Sequence, residues 1–238
     1  MISFSRPLSI AAAVCILGSW TPRLGAADDV LARARAMYGA LTSYADTGLV
    51  TNEYGTSSTA QFKFVTRFNR SPRRFYLESA GGEYVIWGDP DAFHTWTRLT
   101  GGQYDYPNPN NAPAISQSAV QTRGVSGKVP TLLFSKAALG GIFDTFVNPV
   151  NEGIEMVSGH RCHRIAGSTH DVYGATGRET NVHKLVVWID ADSLLLRKVL
   201  EEWQPLPGQR SRVTTNYEPQ ANPSLDDSLL RFTPPRPK

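Results

Sequence analysis

Cysteine is almost missing from this 238-residue chain: Cys15 and Cys162 are the two it has. Cys15 falls in an N-terminal leader, so the remainder holds one thiol, forms no intrachain disulfide and must be stabilised by its core. Beyond the leader there is no apolar run long enough for a transmembrane helix. Neither sign of charge dominates. The formal net charge of +3 falls by two, to +1, when Arg6 and Arg23 of the leader are set aside. That balance gives no case for nucleic acid. Also missing are internal repeats, low-complexity tracts, a Gly-x-Ser-x-Gly elbow and any transferable Cys–His signature, which removes the usual sequence routes to nucleophilic catalysis.

The leader itself is well marked. Arg6 supplies positive charge, Pro7 to Leu17 form a short apolar core, and Gly25-Ala26-Ala27 is a small-residue exit before Asp28. This is a secretory signal pattern, too short to span a bilayer. Cys15 follows Ala12-Ala13-Val14, a poor match to a lipidation site. The expectation is a signal peptide over residues 1–27 and one soluble exported domain over 28–238.

The stretch KLVVWIDADSLLLRKVLEEW, residues 184–203, is apolar on both faces of a hairpin, with Asp190-Ala191-Asp192 at its turn. A half-exposed hairpin alternates apolar and polar residues. This one therefore needs cover on two sides, from a helix or from a bound apolar molecule. Upstream, Asp28 caps a helix whose apolar positions Val30, Leu31, Ala34, Met37, Tyr38 and Leu41 leave Arg33 and Arg35 towards water. Strands are predicted at 44–54, 59–69, 74–78, 84–87 and 92–97, and Phe62, Phe64, Thr66 and Phe68 share one face of the second. The proline- and asparagine-rich run 107–113 breaks the pattern. Two short helices follow at 114–122 and 130–139, an insertion placed at about 112–140 that ends at Gly140-Gly141. Five more strands are predicted at 155–158, 161–167, 182–189, 194–203 and 210–218. The fold expected is α+β and mostly β: one large, strongly curved antiparallel sheet. Its concave face would be covered by the N-terminal helix and the short helical insertion.

These pieces resemble the outer-membrane lipoprotein carrier, or LolA-like, family. The resemblance rests on the opening helix ending in Ser43-Tyr44, on Arg70-Ser71-Pro72-Arg73-Arg74-Phe75-Tyr76, and on Trp87-Gly88-Asp89 leading to Trp96. Val187-Trp188-Ile189-Asp190 with Leu196-Arg197-Lys198 and the closing Phe232-Thr233-Pro234-Pro235 extend it over most of the chain. It implies an unclosed barrel with helices as a lid, an apolar cavity for acyl chains, no enzymatic activity and no cofactor. Ser71 separates the family's Arg-Pro pair, which leaves its cavity arginine unassigned. The chain also stops soon after Phe232, without a C-terminal extension of the kind that prevents return of cargo.

Candidate ligand residues follow. Phe62, Phe64, Phe75, Trp87, Trp96 and Trp188 would either line the cavity or fill the core. Leu132, Leu133 and Phe134 would be a lid or ordinary helix packing. Arg70, Arg73 and Arg74 would receive an anionic headgroup or a partner's acidic surface, or simply be solvated. His160-Arg161-Cys162-His163 invites a metal reading but lacks a second ligand pair at a recognised spacing, so a buried structural cysteine is favoured and no metal is expected. Asp190 and Asp192 are expected to bond the backbone of their own turn. The first functional reading is a periplasmic carrier of an acyl chain, lipid or lipoprotein, loaded or unloaded by a membrane or protein partner. A sensor or assembly module that binds a hydrophobic cue and a protein partner is the alternative, and a metal-dependent hydrolase the third.

Overall fold

The computed structural model describes residues 25–55, 58–89, 92–106, 122, 124–126, 128–134, 141–143, 146–173, 178–204 and 208–235. The chain opens with helix α1, Gly25–Ala40. It begins three residues before the expected cap, and Ala27, Val30, Leu31, Ala34 and Tyr38 are buried along one stripe. A stripe at this spacing is what binds a helix to a sheet, each large side chain contributing roughly 2 kcal/mol.

A meander follows: β1 Ser43–Tyr54, β2 Ser58–Arg70, β3 Arg73–Ser79, β4 Tyr84–Gly88, β5 Phe93–Thr97 and β6 Gln103–Tyr106. Helix α2, Val129–Leu133, and a 3₁₀ turn, Gly141–Phe143, come next. The second meander is β7 Val147–Val157, β8 His160–Tyr173, β9 Arg178–Asp190, β10 Leu196–Trp203 and β11 Ser211–Tyr217, with a short β12 at Gln220–Ala221. The described strands form one antiparallel sheet in the order β6-β5-β4-β3-β2-β1-β11-β10-β9-β8-β7, with β12 on β1. β6 and β7 stand at opposite ends of that order, so the barrel is unclosed, as expected. The expected helix at 114–122 falls almost wholly outside the described residues.

Alternation along the strands sends one set of side chains under the helices and the other to the outer face. Phe62, Phe64, Phe68, Phe75, Leu77, Ile86, Phe93, Leu185, Val187, Ile189 and Val199 share a core with α1 and α2. The outer face has two smaller clusters. Over β3 to β5, Tyr76, Val85, Trp87 and Trp96 are covered by Leu225, Leu230 and Phe232 of the closing segment. That segment is pinned by a 3₁₀ turn, Asp227–Leu230, through Arg74 to Asp227 at 3.3 Å and Arg67 to the Leu229 carbonyl at 3.3 Å.

The double-faced hairpin therefore has two different covers. Leu185, Val187 and Ile189 face the helices, whereas Val186 and Trp188 lie outside with Val157, Cys162 and Leu200. No second helix covers them in the described structure. Instead the Arg164 guanidinium sits 5.6 Å and the Lys198 ammonium 4.6 Å from the Trp188 ring centre. The aliphatic stems of such residues shield apolar surface while their charged ends stay wet. Asp190 organises the turn, accepting from the Asp192 and Ser193 amides at 3.0 Å each and from Arg197 Nε at 3.0 Å. Burial raises its pKa, but those bonds outweigh burial and hold its carboxyl below the usual range.

Candidate functional site

An apolar ligand would have to enter between sheet and helices, and the side chains packed there differ along the sheet. Over β2, β3 and β5 they are aromatic. Phe134, just past the end of α2, inserts its ring edge-on among Phe68, Phe75 and Phe93, at centroid distances of 5.3, 5.4 and 5.3 Å. Such edge-to-face pairs are favourable beyond simple burial. Leu132 and Leu133 are buried on the same side. The lid candidates thus pack directly on the aromatic floor, and Phe134 fills this part of the space with the chain's own side chain.

Arg70 ties the cover together. Its Nε donates to the Leu41 carbonyl at 2.6 Å, and its terminal nitrogen reaches the carbonyls of Tyr38 at 3.1 Å and Leu133 at 3.5 Å. The last carbonyls of a helix have no partner within it and carry its negative dipole end, so a guanidinium placed there serves two helices at once. Burial lowers the pKa of Arg70. Arg70 therefore points into the fold, and Arg74 is engaged by Asp227 at 3.3 Å. The expected basic headgroup cluster is divided between the inner and outer sides of β2 and β3.

Beneath α1 the floor turns polar. The Tyr44 hydroxyl donates to Asp46 Oδ2 at 2.7 Å, and Tyr38 stacks obliquely on Tyr44 at 5.8 Å while accepting from the Leu196 amide at 3.0 Å. Thr66 stands opposite Asp46 across β1 and β2. Burial pushes the Asp46 carboxyl up to about 6, against the lowering effect of the bonds from Tyr44 and Thr66. Burial also raises the phenol pKa values of Tyr44 and Tyr217, which keeps both neutral. Next to them Gly48 lies under the Phe64 ring: a Cβ there would stand 2.2 Å from Phe64 Cζ and 2.3 Å from the Asn216 carbonyl oxygen. The missing side chain lets Phe64 fold flat over the strand and meet Tyr217 at 5.4 Å.

The start of α2 is anchored differently. Lys128, almost fully buried, pairs its Nζ with Glu201 Oε2 at 2.7 Å and contacts Thr215 Oγ1 at 3.4 Å. One end of the short helix is thus held by a charge pair and the other by an aromatic ring and a long hydrogen bond. That polar floor and the Lys128 anchor were not anticipated from sequence. Alternation alone places Asp46 and Thr66 on an inward face, but the tyrosines that surround them are brought in by α1 and β11.

The six aromatic wall candidates do not meet in one place. Phe62, Phe64 and Phe75 face the helices. Trp87 and Trp96 lie on the outer face under Phe232, at 5.0 and 5.6 Å, and Trp188 lies on the outer face beside Arg164 and Lys198. The reason is register: Tyr76 pairs with Trp87 and Phe75 with Gly88, so Phe75 and Trp87 take opposite faces. Among the described side chains, His160, His163 and His183 do not converge either. His160 contacts Asp190 at 3.1 Å, His163 approaches Asn151 at 3.5 Å, and His183 stacks on Trp203 at 5.1 Å. Among the described residues no three metal-ligating side chains come together. Cys162 is buried, and burial, reinforced by Asp190, pushes its thiol up to about 11, far from thiolate reactivity. No described helix is long and apolar enough to cross a membrane.

No family model and no curated protein matches the sequence. Among solved structures the chain is similar to LprF from Mycobacterium bovis, at 12% identity over 91% of this chain and 98% of that one, TM-score 0.47. The LolA superfamily protein NE2245 from Nitrosomonas europaea is similar at 9% identity, over 87% and 97%, TM-score 0.39. The Pseudomonas aeruginosa MucA/MucB complex is similar at 14% identity, over 87% of this chain but 61% of that one, TM-score 0.47. The LolA resemblance read from the sequence thus recurs among structural neighbours. At these identities and scores the likenesses carry no argument about ligand or partner, which rests on the chain's own geometry.

Proposed function

We propose that the chain is a carrier that holds an acyl chain or a similar apolar molecule between the sheet and its helical cover. The observation that supports this reading is Phe134, an aromatic plug just past the end of a helix of five residues, seated in a three-ring cradle and secured by Arg70 through the Leu133 carbonyl. A plug of this kind is displaceable at modest cost. Returning one phenylalanine to water costs about 2–3 kcal/mol, and each acyl methylene that replaces it gains roughly 0.8 kcal/mol. About four methylenes offset the loss, so a longer chain binds with a surplus. Lys128 is the hinge end of the cover and Phe134 the opening end.

Export is part of the proposal, with residues 1–27 removed on the way to the periplasm; the cut takes Ala27 from the α1 stripe and leaves Val30, Leu31, Ala34 and Tyr38 to hold the helix. The sensor alternative draws less support: the large exposed apolar side chains of the described residues are scattered over β1, β6, β7, β9 and turns. The test is to produce the chain behind its own leader, purify it gently from the exported fraction, and apply native mass spectrometry and solvent extraction. A stoichiometric acylated species on a chain beginning at Asp28 supports the carrier. Protein that is empty and stays empty when offered fatty acids and phospholipids overturns it, and Phe134 is then plain core.

A further inference from the structure

The outer face of β8 to β11 holds a pocket of about 320 Å³, on the side of the sheet away from the helices. Cross-strand pairing builds it from rows. Arg164, Trp188 and Lys198 stand side by side in one row, and Lys184, Glu202 and Arg212 in another. Between them runs a row containing Val186 and Leu200. Rows two residues apart lie about 7 Å from each other, so the two charged rows rim a trough some 13 Å wide, at roughly 3.3 Å per residue. Long rims over a floor of shorter side chains make a slot for a small organic molecule.

The charge in that slot is unbalanced. Five cationic side chains and two carboxylates line it, and two further carboxylates, Glu152 and Glu53, pair with Arg164 and Arg212 from beyond the lining, which leaves one positive charge in excess. Arg164 is matched by Glu152 and Glu155. Glu202, by contrast, is shared by Lys184 at 3.5 Å, Arg212 at 3.3 Å and Arg210, with Arg212 also 3.8 Å from Glu53. Burial raises the Glu202 pKa, but Arg210, Lys184 and Arg212 outweigh it and hold the carboxyl below the usual range. The Lys198 ammonium rests over Trp188 at 4.6 Å and has no carboxylate partner among the described residues. Two oxygens of one carboxylate cannot use all the donors that three cations present. Donors are therefore left over on both rims, with an indole wall between Glu155, which accepts its N–H at 3.0 Å, and Lys198.

We propose that this pocket binds a phosphate ester. Its phosphoryl oxygens take the spare donors of Arg210, Arg212 and Lys198, and its organic part lies against Trp188 and Leu200. A phosphate suits the slot better than a second carboxylate, because it offers more acceptor oxygens to donors arriving from two sides. The same chemistry has two sources, a soluble phosphate ester or the headgroup of an anionic phospholipid. The site lies on the opposite face from Phe134 and does not depend on the carrier reading.

The test uses the whole exported chain. Glycerol 3-phosphate and inorganic phosphate are titrated by calorimetry, and phosphatidylglycerol and phosphatidylcholine vesicles are offered in flotation. Binding of glycerol 3-phosphate, tighter than inorganic phosphate, assigns a soluble ester. Flotation with phosphatidylglycerol but not phosphatidylcholine assigns the headgroup. In either case Lys198→Met and Arg210→Ser each weaken binding about tenfold, the loss of one charge-assisted bond. Arg210 is exposed and its loss leaves Glu202 paired with Lys184 and Arg212, so this variant folds and protects the test if the Lys198 variant is unstable. Absence of binding to every probe, or binding unchanged in both variants, overturns the proposal. So does capture of a hexaglutamate peptide with no response to any phosphate probe, which would make the slot a protein contact.

Discussion

Asp46 gives the sharpest physical prediction because a carboxyl is held among tyrosines where water does not reach. Its pKa stands at about 6 against 3.8 for a free aspartate, with burial as the main cause. The folded state therefore binds the proton more tightly than the unfolded chain. Stability from this group is greatest below about pH 4, falls as pH rises towards about 6, and stays at the lower level above that. A rise of that size corresponds to about 3 kcal/mol. Asp46→Asn removes the titration and keeps a side chain of the same shape whose carbonyl oxygen still accepts from Tyr44. Urea unfolding should be followed from pH 4 to pH 8 for both proteins, and the difference between them isolates this one group. Relative to the parent, the variant should gain about 3 kcal/mol between about pH 4 and pH 7. A difference that is flat across that range would refute the argument that the site beneath α1 is dry.

Three further outcomes follow from the packing. Gly48→Ala forces its new methyl into the Phe64 ring at 2.2 Å and the Asn216 carbonyl at 2.3 Å, and should cost about 3 kcal/mol in chemical denaturation. Lys128→Met leaves Glu201 without its 2.7 Å partner. Because that carboxylate keeps some water, the cost should be about 2 kcal/mol, below that of a fully buried orphan charge, with amide exchange rising first in α2. For Asp190, whose folded pKa is depressed, the contribution to stability is present above the ordinary aspartate value and lost as pH falls through the folded one. Asp190→Asn should therefore lower the urea midpoint at neutral pH, and by progressively less as pH falls below the ordinary aspartate value and the parent carboxylate takes up its proton.

The sheet was largely legible because most strands alternate and are bounded by turn residues. β1, β2, β3 and β10 fall within about two residues of their expected limits. β7 was expected only from Glu155, whereas it starts at Val147. Asn148, Pro149, Asn151 and Gly153 hide its pattern, and its pairing with β8 slips twice there, as an edge strand tolerates. β6 and β12 are too short to show a period. The face of each aromatic was the illegible part. Strands such as β4 and β9 are apolar on both sides, so period two fixes which residues share a face without fixing which face turns inward. Trp87, Trp96 and Trp188 went outward because the closing segment and two long cations supply cover that no local pattern announces. Arg70 was singled out by its neighbourhood, but its role at two helix ends depends on where α1 and α2 stop.

The central claim is that apolar cargo takes the place of Phe134. The measurement that bears on it most directly is photolabelling with a diazirine fatty acid, followed by peptide mapping, on the parent and on Phe134→Ala. The account predicts label on Phe68, Phe75 and Phe93 of the helix-covered face, and heavier label when Phe134 is removed. Label confined to the outer face, or a yield that does not change with Phe134, would contradict it.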